Sequence, residues 1–245
     1  MGDPLRSNRL LAAAVLAATL AFSTGCAATP PPVSAKVQDA YNQGLKATPT
    51  PRSDTNQVTV IGDSYVFGSD IGGYSIHNWT HVSQIALQGD VTTDVTNGGV
   101  GGSGYVVRGP KDITFAEVLP RYVGPETDLV VFFGSRNDRA IGKAKIEAAA
   151  LATYDEVKKL APHAKILVVG PPWPNADVPV EMFTTRDALK SAASKAGVGW
   201  VDPLEDRWFF DQPALIGSDT THPTDEGHAY IAQLLVPHMR KALGL

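Results

Sequence analysis

The sequence predicts an α/β fold built on a mainly parallel sheet of five strands. Short β-branched and apolar runs alternate with stretches of helical composition, and the runs end in turn-forming residues such as glycine or proline. The strongest run, Asp128–Gly134, is continuously apolar after its first residue, which is typical of a strand buried on both faces. Strands that alternate with helices pair in parallel through right-handed crossovers.

The individual elements follow from local pattern. Strands are predicted in QVTVIG at the start of the domain, at Val91–Thr96, at Asp128–Gly134, in AKILVVG and in GVGWV. Helices are predicted at Lys143–Leu160, where apolar residues share one face, and at Thr185–Ala196. The last helix follows Thr224, a residue suited to cap its N-terminus.

Composition narrows the class of protein. The 245 residues suffice for one domain of ordinary size with attachments, and a hydrophobic content of 43% supports a real core. A net charge of −4 offers no basic field for nucleic acid. One cysteine and six scattered histidines lack the spacing of metal ligands. This spacing predicts no metal site. We also expect no other cofactor and a monomeric protein.

The N-terminus has the pattern of an export signal. Arg6 and Arg9 precede an apolar stretch, Leu10–Phe22, of secretory length. The following STGC resembles the site at which bacterial lipoprotein precursors are cleaved and lipidated on Cys26, although its first residue is serine where leucine is usual. We expect a signal peptide over 1–25 and an exported protein, either anchored to the membrane through lipidated Cys26 or secreted without lipid.

A tether is predicted between the signal and the folded domain. Residues 26–55 are rich in proline, threonine and alanine around a short polar helical stretch, Ser34–Lys46. Such a segment can hold a domain away from the surface to which it is attached. The domain itself is expected to span 56–245.

Polar residues follow three of the predicted strands. Ser64 comes after the first strand, a glycine-rich stretch after the second and Asn137 after the third. Ligands of parallel sheets bind beyond the carboxyl ends of the strands, so these residues should meet at one edge. A serine becomes a nucleophile only beside a base; without one, Ser64 is a helix cap.

A base is available near the C-terminus. Asp219 and His222 lie three residues apart in GSDTTHPTDEGH, before the last helix. A carboxylate at this spacing can bind one imidazole nitrogen and orient the other toward a serine hydroxyl. The alternative is a pair of ordinary polar loop residues.

The glycine-rich stretch TNGGVGGSGY allows two interpretations. Three of its glycines have the G-x-G-x-x-G spacing of dinucleotide-binding loops. Such loops follow the first strand and open a helix, whereas this one follows the second strand and leads into YVVRGPKD. We interpret it as an oxyanion loop in which Gly102, or by a register shift Gly101 or Gly104, presents a backbone N–H.

These segments resemble the ordered sequence blocks of the SGNH hydrolases, also called GDSL-type esterases and lipases. The blocks are GDS at 62–64, the glycine at 102, GSRND at 134–138 and DTTH at 219–222. They stand in the family's order and span almost the whole domain. The resemblance implies a flavodoxin-like, three-layer α/β/α fold.

The resemblance also implies ester hydrolysis through an acyl-enzyme. Ser64 would be the nucleophile, His222 the general base and Asp219 its orienting residue. Ser64, Gly102 and Asn137 would form the oxyanion hole. Expected substrates are small acyl esters, glycolipids or acylated envelope polysaccharides. An acyltransferase with the same triad and a non-catalytic carbohydrate- or lipid-binding lipoprotein are the alternatives.

Two residues depart from the family pattern. Tyr65 replaces the commoner leucine after GDS, and Arg136 is an additional residue before the asparagine of the third block. Tyr65, Tyr105, Arg136 and Trp173 are candidates for substrate contact. The alternative is ordinary packing for the aromatic residues, and a solvated or ion-paired side chain for Arg136.

Overall fold

The computed structural model of the protein describes residues 55–89 and 91–245. The predictions for the signal peptide over 1–25, for Cys26 and for all but the last residue of the tether over 26–55 lie outside the described residues. Within the described ranges, no helix combines the length and the apolar character needed to cross a membrane.

The central sheet is parallel, and its five strands within the described residues have the order β2-β1-β3-β4-β5. The strands are β1 (Asn56–Gly62), β2 (Thr93–Asn97), β3 (Leu129–Phe133), β4 (Lys165–Val169) and β5 (Gly199–Val201). The chain order reverses beside β1, because β2 pairs with one of its edges and β3 with the other. The crevice at the carboxyl ends of β1 and β3 is therefore the topological switch point, where α/β folds bind ligands.

Helices cover both faces of this sheet. They are α1 (Ser64–Phe67), α2 (Trp79–Leu87), α3 (Phe115–Val118), α4 (Lys143–Leu160), α5 (Val180–Ala196) and α6 (Asp225–Leu243). The bounds of α4 are the predicted ones, and the Thr224 side chain caps α6 by accepting the N–H of Gly227. The α5 helix begins before the predicted Thr185, because Pro179 provides an extended entry and Met182 is already buried in the first turn.

Two apolar clusters confirm the three-layer α/β/α arrangement. Leu129, Val131 and Phe133 of β3 face the cluster that includes α2 and α6. Val130 and Phe132, which alternate with them, face the cluster that includes α4 and α5. Both faces of the central strand are thus buried, which explains why its sequence is continuously apolar.

Candidate active site

Ser64 stands directly beyond the carboxyl end of β1, at the first position of α1. The cap of this helix is Asp63, whose side chain accepts the N–H of Tyr65 at 3.0 Å, so the alternative interpretation of Ser64 as the cap is wrong. The turn depends on Gly62, because a Cβ there would lie 2.3 Å from Val66 Cγ2 and 2.5 Å from a β3 carbonyl oxygen. This tight turn leaves the serine hydroxyl at the switch point.

The structure brings Ser64, His222 and Asp219 together in one line. The Nε2 of His222 lies 2.9 Å from Ser64 Oγ, although the residues are 158 positions apart. The Nδ1 of the same ring lies 2.5 Å from Asp219 Oδ2. The other Asp219 oxygen accepts the backbone N–H groups of Thr221 and His222, both at 2.9 Å, which fixes the carboxylate in its own loop.

The electrostatics of Asp219 favour an ionised carboxylate. Partial desolvation acts to raise its pKa, but hydrogen bonds from the His222 backbone and ring and from Thr221 outweigh it and hold the pKa below its usual value. An ionised Asp219 favours the imidazole tautomer with its proton on Nδ1. That tautomer leaves the Nε2 lone pair facing the serine hydroxyl.

Tyr65 supports the loop that carries His222, here called the histidine loop, from the side of the core. Its hydroxyl donates to the carbonyl of Thr221 at 2.6 Å, and burial raises its pKa, so the hydroxyl stays protonated and able to donate. The ring is completely buried between Phe133 and Phe209. This placement corrects the expectation that Tyr65 contacts substrate, since the side chain reaches the loop through the core and not through the cleft.

The predicted oxyanion donors share one cleft with the serine and the imidazole. Ser64, Gly102, Asn137 and His222 all line this cleft, whose volume is about 670 Å³. Within the described residues, the N–H groups of Ser64 and Gly102 donate to no protein atom. Gly102 has φ +78°, a left-handed conformation that glycine adopts without strain. The amide nitrogen of Asn137 donates to the Ser103 carbonyl at 2.8 Å and makes only a long 3.5 Å contact with Asp63 Oδ2, so its second hydrogen is weakly bound in the free protein.

A buried carboxylate that the sequence did not single out fixes the oxyanion loop. Asp138 accepts the backbone N–H groups of residues 105–107 at 2.8–3.2 Å and the Ser135 hydroxyl at 2.9 Å. Gly104 passes so close that a Cβ would lie 2.5 Å from Ser135 Oγ and 2.6 Å from Asp138 Oδ2. Its N–H is bound to the Val107 carbonyl, which removes Gly104 from the candidate donors.

A second buried carboxylate, Asp63, lies behind the nucleophile. Burial raises its pKa to about 6, against the opposing hydrogen bond from Tyr65 and the positive charge of Arg136. Because this pKa exceeds the reference 3.8, the folded state holds the proton more tightly than the unfolded chain. The proton on Asp63 therefore contributes to the free energy of unfolding. This contribution is complete below pH 3.8 and is lost as the pH rises toward and through about 6.

Of the four predicted substrate contacts, Arg136 alone lines the cleft. Tyr105 is 3% exposed, and its hydroxyl lies 3.3 Å from that of Tyr154 within the core, so the expectation that it contacts substrate is also corrected. Trp173 lies beneath the Arg136 guanidinium, 4.5 Å from ring centroid to Cζ.

Further charged and aromatic residues of the cleft were missed from the sequence. Asp70, Tyr74 and Arg139 line it together with the serine and the histidine. Asp70 and Tyr74 belong to no motif and Arg139 directly follows GSRND, so only their position around Ser64 identifies them. In the described part of the chain, no group of three or more His, Cys, Asp or Glu side chains is arranged to hold a metal ion.

The three-layer fold and the geometry of this site together define a hydrolase of the SGNH type. The chain belongs to the GDSL-like lipase/acylhydrolase family, whose model matches residues 60–230. The GDSL lipase Rv0518 of Mycobacterium tuberculosis is 43% identical over 188 residues, which cover 74% of this chain and 80% of that protein. The protein is therefore an ester hydrolase of the GDSL/SGNH type.

Solved structures share the fold at lower identity. A carbohydrate esterase family 2 enzyme from Corynascus thermopiles (Myceliophthora fergusii) is 20% identical with a TM-score of 0.63, over 81% of this chain and 69% of that one. Est24, a carbohydrate acetylesterase from Sinorhizobium meliloti, is 17% identical with a TM-score of 0.59, over 76% and 99%. The native M. smegmatis aryl esterase is 20% identical with a TM-score of 0.56, over 77% and 100%. At these identities the likeness establishes the shared fold.

Proposed function

We propose that this ester hydrolase cleaves carboxylic esters through an acyl-enzyme formed on Ser64. The observation that carries the proposal is the continuous line of contacts from Asp219 through His222 to Ser64 Oγ. As Oγ attacks the ester carbonyl, His222 Nε2 takes the hydroxyl proton. The ionised Asp219 holds the ring and stabilises the imidazolium that forms.

The negative charge of the tetrahedral intermediate falls on the former carbonyl oxygen. The free N–H groups of Ser64 and Gly102 and the Asn137 amide are the donors for this oxygen, and one such donor stabilises the transition state by about 3–4 kcal/mol. When the intermediate collapses, the C–O bond to the alcohol breaks and His222 returns its proton to the departing oxygen. Water, deprotonated by the same imidazole, then releases the acid and restores Ser64.

The cleft favours hydrolysis of short acyl esters carried by polar molecules. Hydroxyl, amide, imidazole, guanidinium, carboxylate and phenol groups line it with glycines, and no aliphatic side chain is found among its described residues. The His222 side chain remains 25% exposed, so water reaches the acyl-enzyme, and this favours hydrolysis over transfer to a second alcohol. Two of the structural relatives are a carbohydrate esterase and a carbohydrate acetylesterase, which agrees with acylated sugars as a substrate class.

We further propose that the enzyme acts outside the cytoplasmic membrane. An export signal over 1–25 and lipidation of Cys26 would anchor the domain in the cell envelope through the tether. Cell fractionation tests this: the natural chain should be found with membranes, and the Cys26→Ala chain in the soluble fraction. The same distribution for both chains would argue against a lipid anchor on Cys26.

The nucleophile is tested by Ser64→Ala. The variant should fold normally, because the hydroxyl lies at the cleft, and should lose hydrolysis of p-nitrophenyl acetate by about 10⁶-fold in kcat. A serine-directed phosphonate should add its mass to the natural chain and not to this variant. Ser69→Ala is the matched control, since Ser69 also lines the cleft. Normal turnover by Ser64→Ala would contradict the proposal.

A further inference from the structure

The side chains that line the cleft around Ser64 include two guanidinium groups and one carboxylate. Arg136 and Arg139 both line it, and Asp70 is the carboxylate among its described lining residues. One Asp70 oxygen already accepts the Tyr74 hydroxyl at 3.1 Å.

Within the described ranges of the chain neither arginine forms an ion pair, although the charge of Arg136 acts on the buried Asp63. Arg136 is held by Trp173 beneath its guanidinium and by a 3.4 Å contact of Nη1 with the Thr221 carbonyl. Arg186 provides an internal comparison, because it also lies over an aromatic ring but pairs with carboxylates, at 2.8 Å and 3.1 Å. The guanidinium in the cleft is thus positioned while most of its N–H donors remain available for a ligand.

The position of Arg136 indicates which part of the ester it faces. It contacts the carbonyl of Thr221, the residue before His222. In the proposed reaction His222 protonates the departing alcohol, so the alcohol portion lies on the imidazole side of the cleft. A guanidinium on this side of the cleft is within reach of the alcohol portion.

We propose that the alcohol portion of the natural ester carries an anionic group, a carboxylate, phosphate or sulfate, that Arg136 and Arg139 bind. This inference rests on the proposed function. The planar guanidinium fork matches the paired oxygens of such groups, and the lining residues offer these two side chains as its cationic partners. Both arginines are thus specificity-determining residues that select the substrate by charge.

A matched pair of esters tests this selection. 4-Acetoxybenzoate and its methyl ester share the acetyl group and the phenolic leaving oxygen and differ in one negative charge. Arg139→Gln and, separately, Arg136→Gln should lower the ratio of kcat/KM for the anionic ester to that for the methyl ester by about five- to tenfold. In the natural chain, added salt should lower kcat/KM for the anionic ester more than for the methyl ester.

Arg121→Gln is the matched control, because Arg121 is an exposed arginine that does not line the cleft. Its ratio should equal that of the natural chain.

A binding measurement separates this inference from the proposed function. In NMR titrations, 4-hydroxybenzoate should bind more tightly than its methyl ester, and Arg139→Gln should remove the difference. An unchanged kcat/KM ratio in both cleft variants, or equal binding of the two phenols, would overturn the inference even if ester hydrolysis is confirmed. Absence of hydrolysis with the binding difference intact would instead contradict the proposed function and uphold the anion site.

Discussion

The two sides of the candidate site are held in different ways. On the side of the nucleophile and the oxyanion donors, Asp63 and Asp138 are 1% and 0% exposed, and Asp138 binds backbone N–H groups from a distant loop. On the side of the base, the Asp219 and His222 side chains are 35% and 25% exposed, and Asp219 binds mainly within its own loop.

The difference follows from what each side has to do. Donors stabilise an oxyanion only when they are aimed before the charge develops, and buried hydrogen bonds provide that rigidity. An imidazole has to carry a proton over a short distance and needs only an orienting partner. Substitutions of the exposed pair should therefore affect mainly the reaction, whereas substitutions of the buried carboxylates should affect both the reaction and stability.

The largest effect is expected on the exposed side. His222→Ala removes the base and should lower kcat by about 10⁶-fold, and Asp219→Asn, which keeps the base but loses its orienting charge, by about 10⁴-fold. Urea denaturation should show both variants within about 0.5 kcal/mol of the natural chain. Equal kcat values for the two variants would contradict the separate roles assigned to them, and full activity in either would remove that residue from the mechanism.

Asp138→Asn should affect both reaction and stability. The new amide group turns its hydrogens toward backbone N–H donors, so the free energy of unfolding should fall by about 2–4 kcal/mol. The loosened oxyanion loop should lower kcat by about 10- to 100-fold. Asp155→Asn, a change of an exposed carboxylate on α4, is the control and should alter neither quantity measurably. Unchanged stability in Asp138→Asn would show that the buried side is not the rigid one.

The smallest effect is expected for Tyr65→Phe, which removes the connection between the two sides. Loss of the 2.6 Å hydrogen bond to Thr221 should lower kcat about three- to tenfold, with KM nearly unchanged, because the histidine loop samples more positions. Stability should fall by about 1 kcal/mol. Tyr230→Phe removes a hydroxyl from α6 in the same apolar cluster and should keep the natural kcat. Equal kcat in both variants would exclude a positioning role for Tyr65.

The sequence predicted the parts of the molecule that depend on local pattern. The parallel sheet and the bounds of α4 follow from periodicity, and Thr224 as a cap follows from its position before a helix. The residues of the Ser64–His222–Asp219 line were found because short motifs mark them. Their contacts, in contrast, could be expected only from the resemblance to a family and from the rule that ligands bind at the carboxyl ends of parallel strands.

The residues that sequence reasoning missed or misplaced depend on long-range contacts. Asp138 receives donors from a segment 31–33 residues away, and Tyr65 reaches a carbonyl 156 residues away. Nothing in the neighbourhood of either residue indicates such partners. Tyr105 was expected in the cleft because it follows the glycine loop, but its ring turns into the core against Phe115.

The central claim is that the donors, the imidazole and the serine surround one carbonyl group. A crystal structure of the protein inactivated by a serine-directed phosphonate tests it most directly, because the phosphonate mimics the tetrahedral intermediate. We expect phosphorus bonded to Ser64 Oγ and its oxygen about 3 Å from the N–H groups of Ser64 and Gly102 and from the Asn137 amide. A phosphonate on another residue, or an oxygen turned away from all three donors, would contradict the account.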